Sequence, residues 1–153
     1  VYEHDIYNDR PVLLRGFDEK FWMPHSRHTT VSLQQIKENR DLELLAGSDP
    51  TGTAIVRSLD NKHIFVFGHA EYDWDTLNRE YERDINKGMD IAVPENYFPN
   101  DDPKQRPIVR WRSVSTLLFT NWLNYYVYQE TPYIIEQIQK MKFERDKNLG
   151  AYI

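Results

Sequence analysis

A mixed domain of strands and helices, α/β or α+β, is the fold class this sequence predicts. Two observations predict it. Short apolar runs of strand length, punctuated by Gly, Asp and Asn, fill residues 1–67, and two longer stretches with helical spacing follow them. The 153-residue length suits one domain. Periodicity leaves the two classes open, because it does not reveal whether neighbouring strands run parallel.

The elements follow in order. The chain opens in a strand-like run at Val1. Val12-Leu13-Leu14-Arg15-Gly16-Phe17 reads as a buried strand ending at a glycine. Phe21 to His28 holds Pro24 among clustered polar groups and reads as an ordered loop. Ser32 is placed to cap a short helix through Glu38. Leu42 to Ala46 reads as a strand, Gly47 to Gly52 as a turn, and Thr53 to Leu59 as the next strand. Asp60-Asn61-Lys62 then turns the chain into a third strand, His63 to Phe67, which completes a hairpin.

A helix is expected from Asp75 to Lys87, capped by Asp73 or Asp75 and stopped by Gly88. Its Leu77, Tyr81 and Ile85 recur every four residues and mark a buried side. Residues 89–109, with Pro94, Pro99, Pro103 and Pro107, read as a long irregular loop, a kind that more often serves function than linkage. A second long helix spans Ser113 to Gln129. It is apolar nearly all round, so deep burial is expected. Pro132 interrupts it, and a more polar helix, Tyr133 to Lys147, reads as a peripheral tail.

Composition narrows the function classes. Nineteen basic against 24 acidic residues give a formal charge of −5, which argues against nucleic acid as the main partner. No apolar run approaches the roughly 20 residues that span a bilayer. Aromatics at 14% exclude a chain that stays unfolded. With no cysteine, these residues hold no disulfide, zinc-thiolate site or cysteine nucleophile. The first residues lack a signal-peptide pattern, so a soluble, cytoplasmic protein is expected. A start at Val1 suggests that the sequence begins inside something longer.

The sharpest chemical signal is Gly68-His69-Ala70-Glu71-Tyr72-Asp73, between an apolar strand and a helix. Strand ends opening onto helices are where α/β proteins place their sites. His69 there can act as a general base near neutral pH, and a carboxylate two residues on can fix its tautomer. A solvated surface histidine would give the same short string. His25-Ser26-Arg27-His28 offers a hydroxyl and a guanidinium for a carboxylate or phosphate. A metal reading of His25 and His28 is weaker, and no metal is expected. Arg79 and Arg83 share a helix face away from Leu77-Tyr81-Ile85, which is ordinarily a solvated surface. The aromatic stripe Asn121 to Gln129 reads as core.

Taken together, four stretches resemble the homoserine O-acyltransferase family of methionine biosynthesis, the homoserine O-succinyltransferases and O-acetyltransferases. They are Val1-Tyr2-Glu3-His4, Arg15 through Arg27, Gly68 through Asp73, and Asn96-Tyr97-Phe98-Pro99 through Trp111 to Pro132. The resemblance runs from Val1 to about Tyr133 and leaves 134–153 as a peripheral tail. It implies a class I glutamine-amidotransferase-like, flavodoxin-related α/β fold, here as its C-terminal half. It also implies a ping-pong reaction in which a cysteine takes an acyl group from acetyl-CoA or succinyl-CoA and passes it to L-homoserine, with no other cofactor. By the same resemblance His69 is the catalytic base, Glu71 orients it, Ser26 lies near the substrate and Arg83 holds the homoserine carboxylate. Family members carry Pro where Ala70 stands, a change Ala tolerates.

Family chains are about twice this long, and their nucleophilic cysteine lies in the half before Val1. Residues 1–153 alone are therefore expected to be inactive and to expose apolar surface where the missing half packs. A homodimer is implied too, with no nucleic-acid or membrane partner. Two other classes stand beside this one: a non-catalytic fragment or paralogue that binds a small ligand or partner chain, and a glutamine-amidotransferase-like hydrolase. The paired His69 and Glu71 argue against the first. The Tyr-rich stretches Asn96–Pro99 and Asn121–Pro132 argue against the second.

Overall fold

A computed structural model describes residues 1–8 and 11–129, so the tail helix expected at Tyr133–Lys147 lies outside the described residues. Strands β1 (Tyr2–Ile6), β2 (Lys20–Met23), β3 (Leu42–Ser48), β4 (Gly52–Ser58) and β5 (Ile64–Val66) form one sheet in the order β2-β1-β3-β4-β5. Every pairing among them is antiparallel. Helix α1 (Leu33–Glu38) lies between β2 and β3 in the chain, and α2 (Thr76–Asn86) and α3 (Arg112–Trp122) follow β5. The class is thus mixed α and β, built here on hairpins and not on parallel crossovers.

Local chemistry explains most elements. The Ser32 hydroxyl accepts from the Gln35 N–H at 3.3 Å and caps α1 as its position predicts. Between β3 and β4 the chain turns at Asp49-Pro50-Thr51, and Gly52 takes φ +69°. The β4–β5 hairpin closes where the Ser58 N–H donates to the His63 carbonyl at 2.9 Å. Gly88, at φ +75°, ends α2.

Five expectations need correction. The run expected as a strand at Val12–Phe17 is a single 3₁₀ turn, Val12–Leu14, with Leu13 and Leu14 buried. Pro11 starts it, and the Leu14 N–H donates to the Pro11 carbonyl at 2.8 Å. A buried turn and a buried strand share the same apolar run, so spacing cannot separate them. The loop expected from Phe21 begins instead as β2, in which Phe21 and Met23 point inward and Phe21 pairs with His4. Pro24, which lacks an N–H, follows directly on the strand.

On α2 only Leu77 is buried, while Ile85 is 44% exposed. The core of Val1, Leu77, Tyr97, Phe98 and Trp111 reaches only the first turn of that helix. On α3 only Leu118 and Asn121 are buried, and Phe119 and Trp122 stay more than 40% exposed. One face of α3 packs on the Leu13–Leu14 turn, where the Asn121 amide donates to the carbonyls of Leu13 (2.9 Å) and Arg15 (2.8 Å). The helix continues as a π turn over Leu123–Val127.

The cap of α2 also differs from expectation. Asp75 stands at the N-cap position, but its carboxylate accepts from Arg79 at 3.2 Å. The capping group is Tyr97, from the proline-rich loop. Its buried hydroxyl donates to the Trp74 carbonyl at 2.6 Å and accepts from the Asn78 N–H at 3.2 Å. Tyr97→Phe removes both partners at once and is expected to cost about 1–2 kcal/mol, read as a lower denaturant midpoint of the full-length protein.

Candidate active site

Gly68 begins the site. It is buried, and a Cβ there would stand 2.2 Å from Met23 Sδ and 3.0 Å from His25 Nε2. Only glycine lets the end of β5 lie this close to the segment after β2. The next residue, His69, is pinned to the same segment, its backbone N–H donating to the Pro24 carbonyl at 2.8 Å.

The His69 ring is held on three sides. Nδ1 lies 2.8 Å from Glu71 Oε1. Nε2 lies 3.4 Å from the Ser26 carbonyl. The Tyr72 ring stacks on the imidazole with centroids 4.3 Å apart and planes 16° from parallel. With Nδ1–H donating to the carboxylate, Nε2 is the basic nitrogen, and at 32% exposure the side chain is open to a reactant. Ala70 between them is buried in the core, which anchors the turn that presents both side chains.

Tyr72 joins the remaining residues. Its hydroxyl donates to Glu80 Oε1 at 2.8 Å, and the Ser26 side chain also hydrogen-bonds to it. Burial and then the Glu80 carboxylate hold the phenol well above its ordinary range, so it stays protonated. The other Glu80 oxygen is buried and has no partner among the described residues.

Arg83 stands one turn further along α2. Its Nε and Nη2 donate to the two carboxylate oxygens of Asp84 at 2.7 and 2.9 Å. That fork raises the guanidinium pKa and lowers that of Asp84. Arg83 also feels the Glu80 and Tyr72 groups. The structure therefore gathers Ser26, Glu71 and Tyr72 around His69, while Arg83 is bonded to Asp84 and feels Glu80 and Tyr72 only through space.

Tyr72 and Glu80 are the residues the sequence reading passed over. Tyr72 sits inside the Gly68–Asp73 string, and Glu80 precedes Arg83 by three residues on the same helix face, so spacing offered a signal for both. His25 and His28 do not converge. His25 Nε2 faces His4 Nε2 at 2.8 Å, while His28 is exposed and lies in range of Asp84. Among the described residues no group of three His, Cys, Asp or Glu side chains is placed to hold a metal ion, and no helix is long and apolar enough to cross a membrane.

A separate groove of about 780 Å³ runs between β5 and α3. Phe65, Val66, Phe119 and Trp122 line it, and it includes none of the residues around His69.

Comparison with known proteins identifies the family. A family model described as homoserine O-succinyltransferase matches residues 1–133. A homoserine O-acetyltransferase of Bacillus cytotoxicus is 57% identical over 135 residues, 88% of this chain and 45% of the relative. One of Petrotoga mobilis is 50% identical over 140 residues, 92% of this chain and 45% of the relative. One of Clostridium acetobutylicum is 56% identical over 133 residues, 87% of this chain and 44% of the relative. The chain thus spans a little under half the length of these relatives. A match that runs unbroken through β1, the Ser26 loop, the His69–Glu71 turn and α3 leaves one assignment: the chain belongs to the homoserine O-succinyltransferase family.

Proposed function

We propose that these residues are the base-bearing half of an enzyme that moves an acyl group from acyl-CoA to the hydroxyl of L-homoserine. The observation that carries the reading is the 2.8 Å His69–Glu71 bond, which leaves Nε2 as the basic nitrogen, with the Ser26 carbonyl 3.4 Å away to accept from it once the ring is protonated. The chain contains no cysteine, so the nucleophilic thiol comes from outside these residues.

The chemistry then takes two half-reactions. His69 Nε2 removes the thiol proton, and the thiolate attacks the acyl-CoA carbonyl. The coenzyme A thiolate leaves and takes the proton from His69, giving an acyl-cysteine thioester. In the second half, His69 takes the proton of the homoserine hydroxyl as its oxygen attacks the thioester. The cysteine thiolate leaves and regains that proton, releasing O-acyl-homoserine. Glu71 stabilises the imidazolium that forms twice per cycle. Arg83 supplies a planar cation for the homoserine carboxylate. Ser26 lines the substrate side.

Acetyl is favoured over succinyl as the donor group, because the similar relatives above carry the acetyltransferase name. The whole enzyme adopts a glutamine-amidotransferase-like fold, acts as a cytoplasmic homodimer, and buries the exposed Phe65, Phe119 and Trp122 against its other half. Intact mass of the denatured full-length protein after acyl-CoA addition tests the mechanism. One acyl increment on a cysteine, discharged by L-homoserine, is the expected result. No increment, or one that homoserine leaves in place, overturns it.

A further inference from the structure

One polar cluster beside the site takes no part in the proposed chemistry. His4, on β1, is fully buried, and its Nε2 lies 2.8 Å from the Nε2 of His25. The two rings meet nearly end to end, with centroids 4.9 Å apart and planes 23° from parallel, and Phe21 stacks on His4 at 5.4 Å. The Thr51 hydroxyl lies 3.1 Å from His4 Nε2 and is itself bonded to the Ser48 hydroxyl at 2.7 Å. Two facing imidazole nitrogens at this distance share one proton, one donating and the other accepting.

The placement of His25 gives the cluster its meaning. The carbonyl before it, on Pro24, holds the His69 backbone, and the carbonyl after it, on Ser26, faces His69 Nε2. Its own Nε2 lies at the spot where a Gly68 Cβ would make close contact. His25 is thus the anchored centre of a tripeptide that holds the His69 backbone on one side and, on the other, offers a carbonyl to the protonated ring. Space-filling alone does not require a histidine. A Phe or Leu would fill the volume without leaving the His25 Nδ1 buried and unpartnered, as it is among the described residues.

Building on the proposed role of His69, we propose that His4 and His25 form a buried, singly bridged imidazole pair that positions His69 for proton transfer. Both are positioning residues. Burial, reinforced for His25 by the neighbouring His4, Arg27 and His69, lowers their pKa values to about 4 and about 3. Arg27 acts on both rings in the same direction. A neutral His25 adds no positive charge beside the His69 imidazolium as it forms during turnover.

The test uses the full-length protein. His25→Phe keeps a ring and removes both nitrogens. It is expected to lower kcat on the order of tenfold to a hundredfold, with the KM for homoserine changed by less than about twofold. His4→Phe should behave alike, and the double variant should be no worse than either single one. His25→Gln, which restores a hydrogen-bonding group, should recover part of the loss.

A kcat within about twofold of wild type in His25→Phe, or losses that multiply in the double variant, overturns the pair. Should His25→Phe not fold, His4→Gln and His25→Gln are judged by the same split between kcat and KM. His69→Ala is assayed beside them. Activity retained there overturns the reading of His69 as base, whereas activity lost there with His25→Phe unaffected overturns only the positioning pair.

Discussion

His69→Ala in the full-length protein is expected to lower kcat/KM for acyl transfer by roughly 10²–10⁴-fold, the range over which a positioned general base contributes. The expectation comes from the ring's surroundings. Nδ1 is committed to Glu71 at 2.8 Å and the ring face to Tyr72, so Nε2 is the atom left for a proton. Glu71→Gln should cost less than loss of the base, because the amide can still orient the ring but cannot stabilise the imidazolium. The loss should fall on both half-reactions. Thioester formation from acyl-CoA, followed by intact mass, and its discharge by homoserine should slow together. A variant lacking the imidazole that forms the thioester at the wild-type rate would remove His69 from the first step.

Trp111→Ala is expected to destabilise the protein by about 3–5 kcal/mol, the usual cost of truncating a buried large aromatic. Trp111 is 1% exposed and packs in the core with Leu77, Tyr97 and Phe98. Its indole N–H donates to the Tyr72 carbonyl at 2.9 Å. The substitution therefore opens a cavity and also frees the residue that stacks on His69. Denaturant unfolding of the full-length protein measures the first effect. The second should appear as a lower kcat under conditions where the variant remains folded. Trp111→Phe keeps most of the volume but loses the donor, so it should recover much of the stability and less of the activity. Equal recovery of both would show that the Tyr72 carbonyl needs no partner.

The same two residues show what local sequence carries and what it does not. His69 and Glu71 were legible because their partnership is local: two residues apart in one turn, between a strand run and a helix run. The Ser32 cap, the Gly88 stop, the turn before β4 and the β4–β5 hairpin were legible for the same reason, since each rests on bonds within a few residues. The role of Trp111 was not, because its partner lies 39 residues away. Tyr97 capping α2 from the proline-rich loop, and Asn121 holding the Leu13–Arg15 turn, are likewise pairings between separate segments that no periodicity encodes.

Two misreadings have a shared cause. The apolar run at Val12–Phe17 and the apolar surround of α3 were taken for a strand and for deep burial. Hydrophobicity says that a segment seeks an apolar neighbour. It does not say which shape the segment takes, or whether the neighbour belongs to the residues at hand. In the structure Pro11 folds the first run into a turn, and α3 presents Phe119 and Trp122 to the groove beside β5.

The sequence by itself determined the family, the β4–β5 hairpin and the helix α2 that flank the site, and the His69–Glu71 pair, because these lie in contiguous strings. Only the tertiary structure decided that the sheet is antiparallel, that the Ser26 loop meets the His69 ring, and that His4 faces His25. Each of those depends on segments far apart in the chain meeting at hydrogen-bond distance, and such meetings are fixed by packing of the whole and by no local pattern.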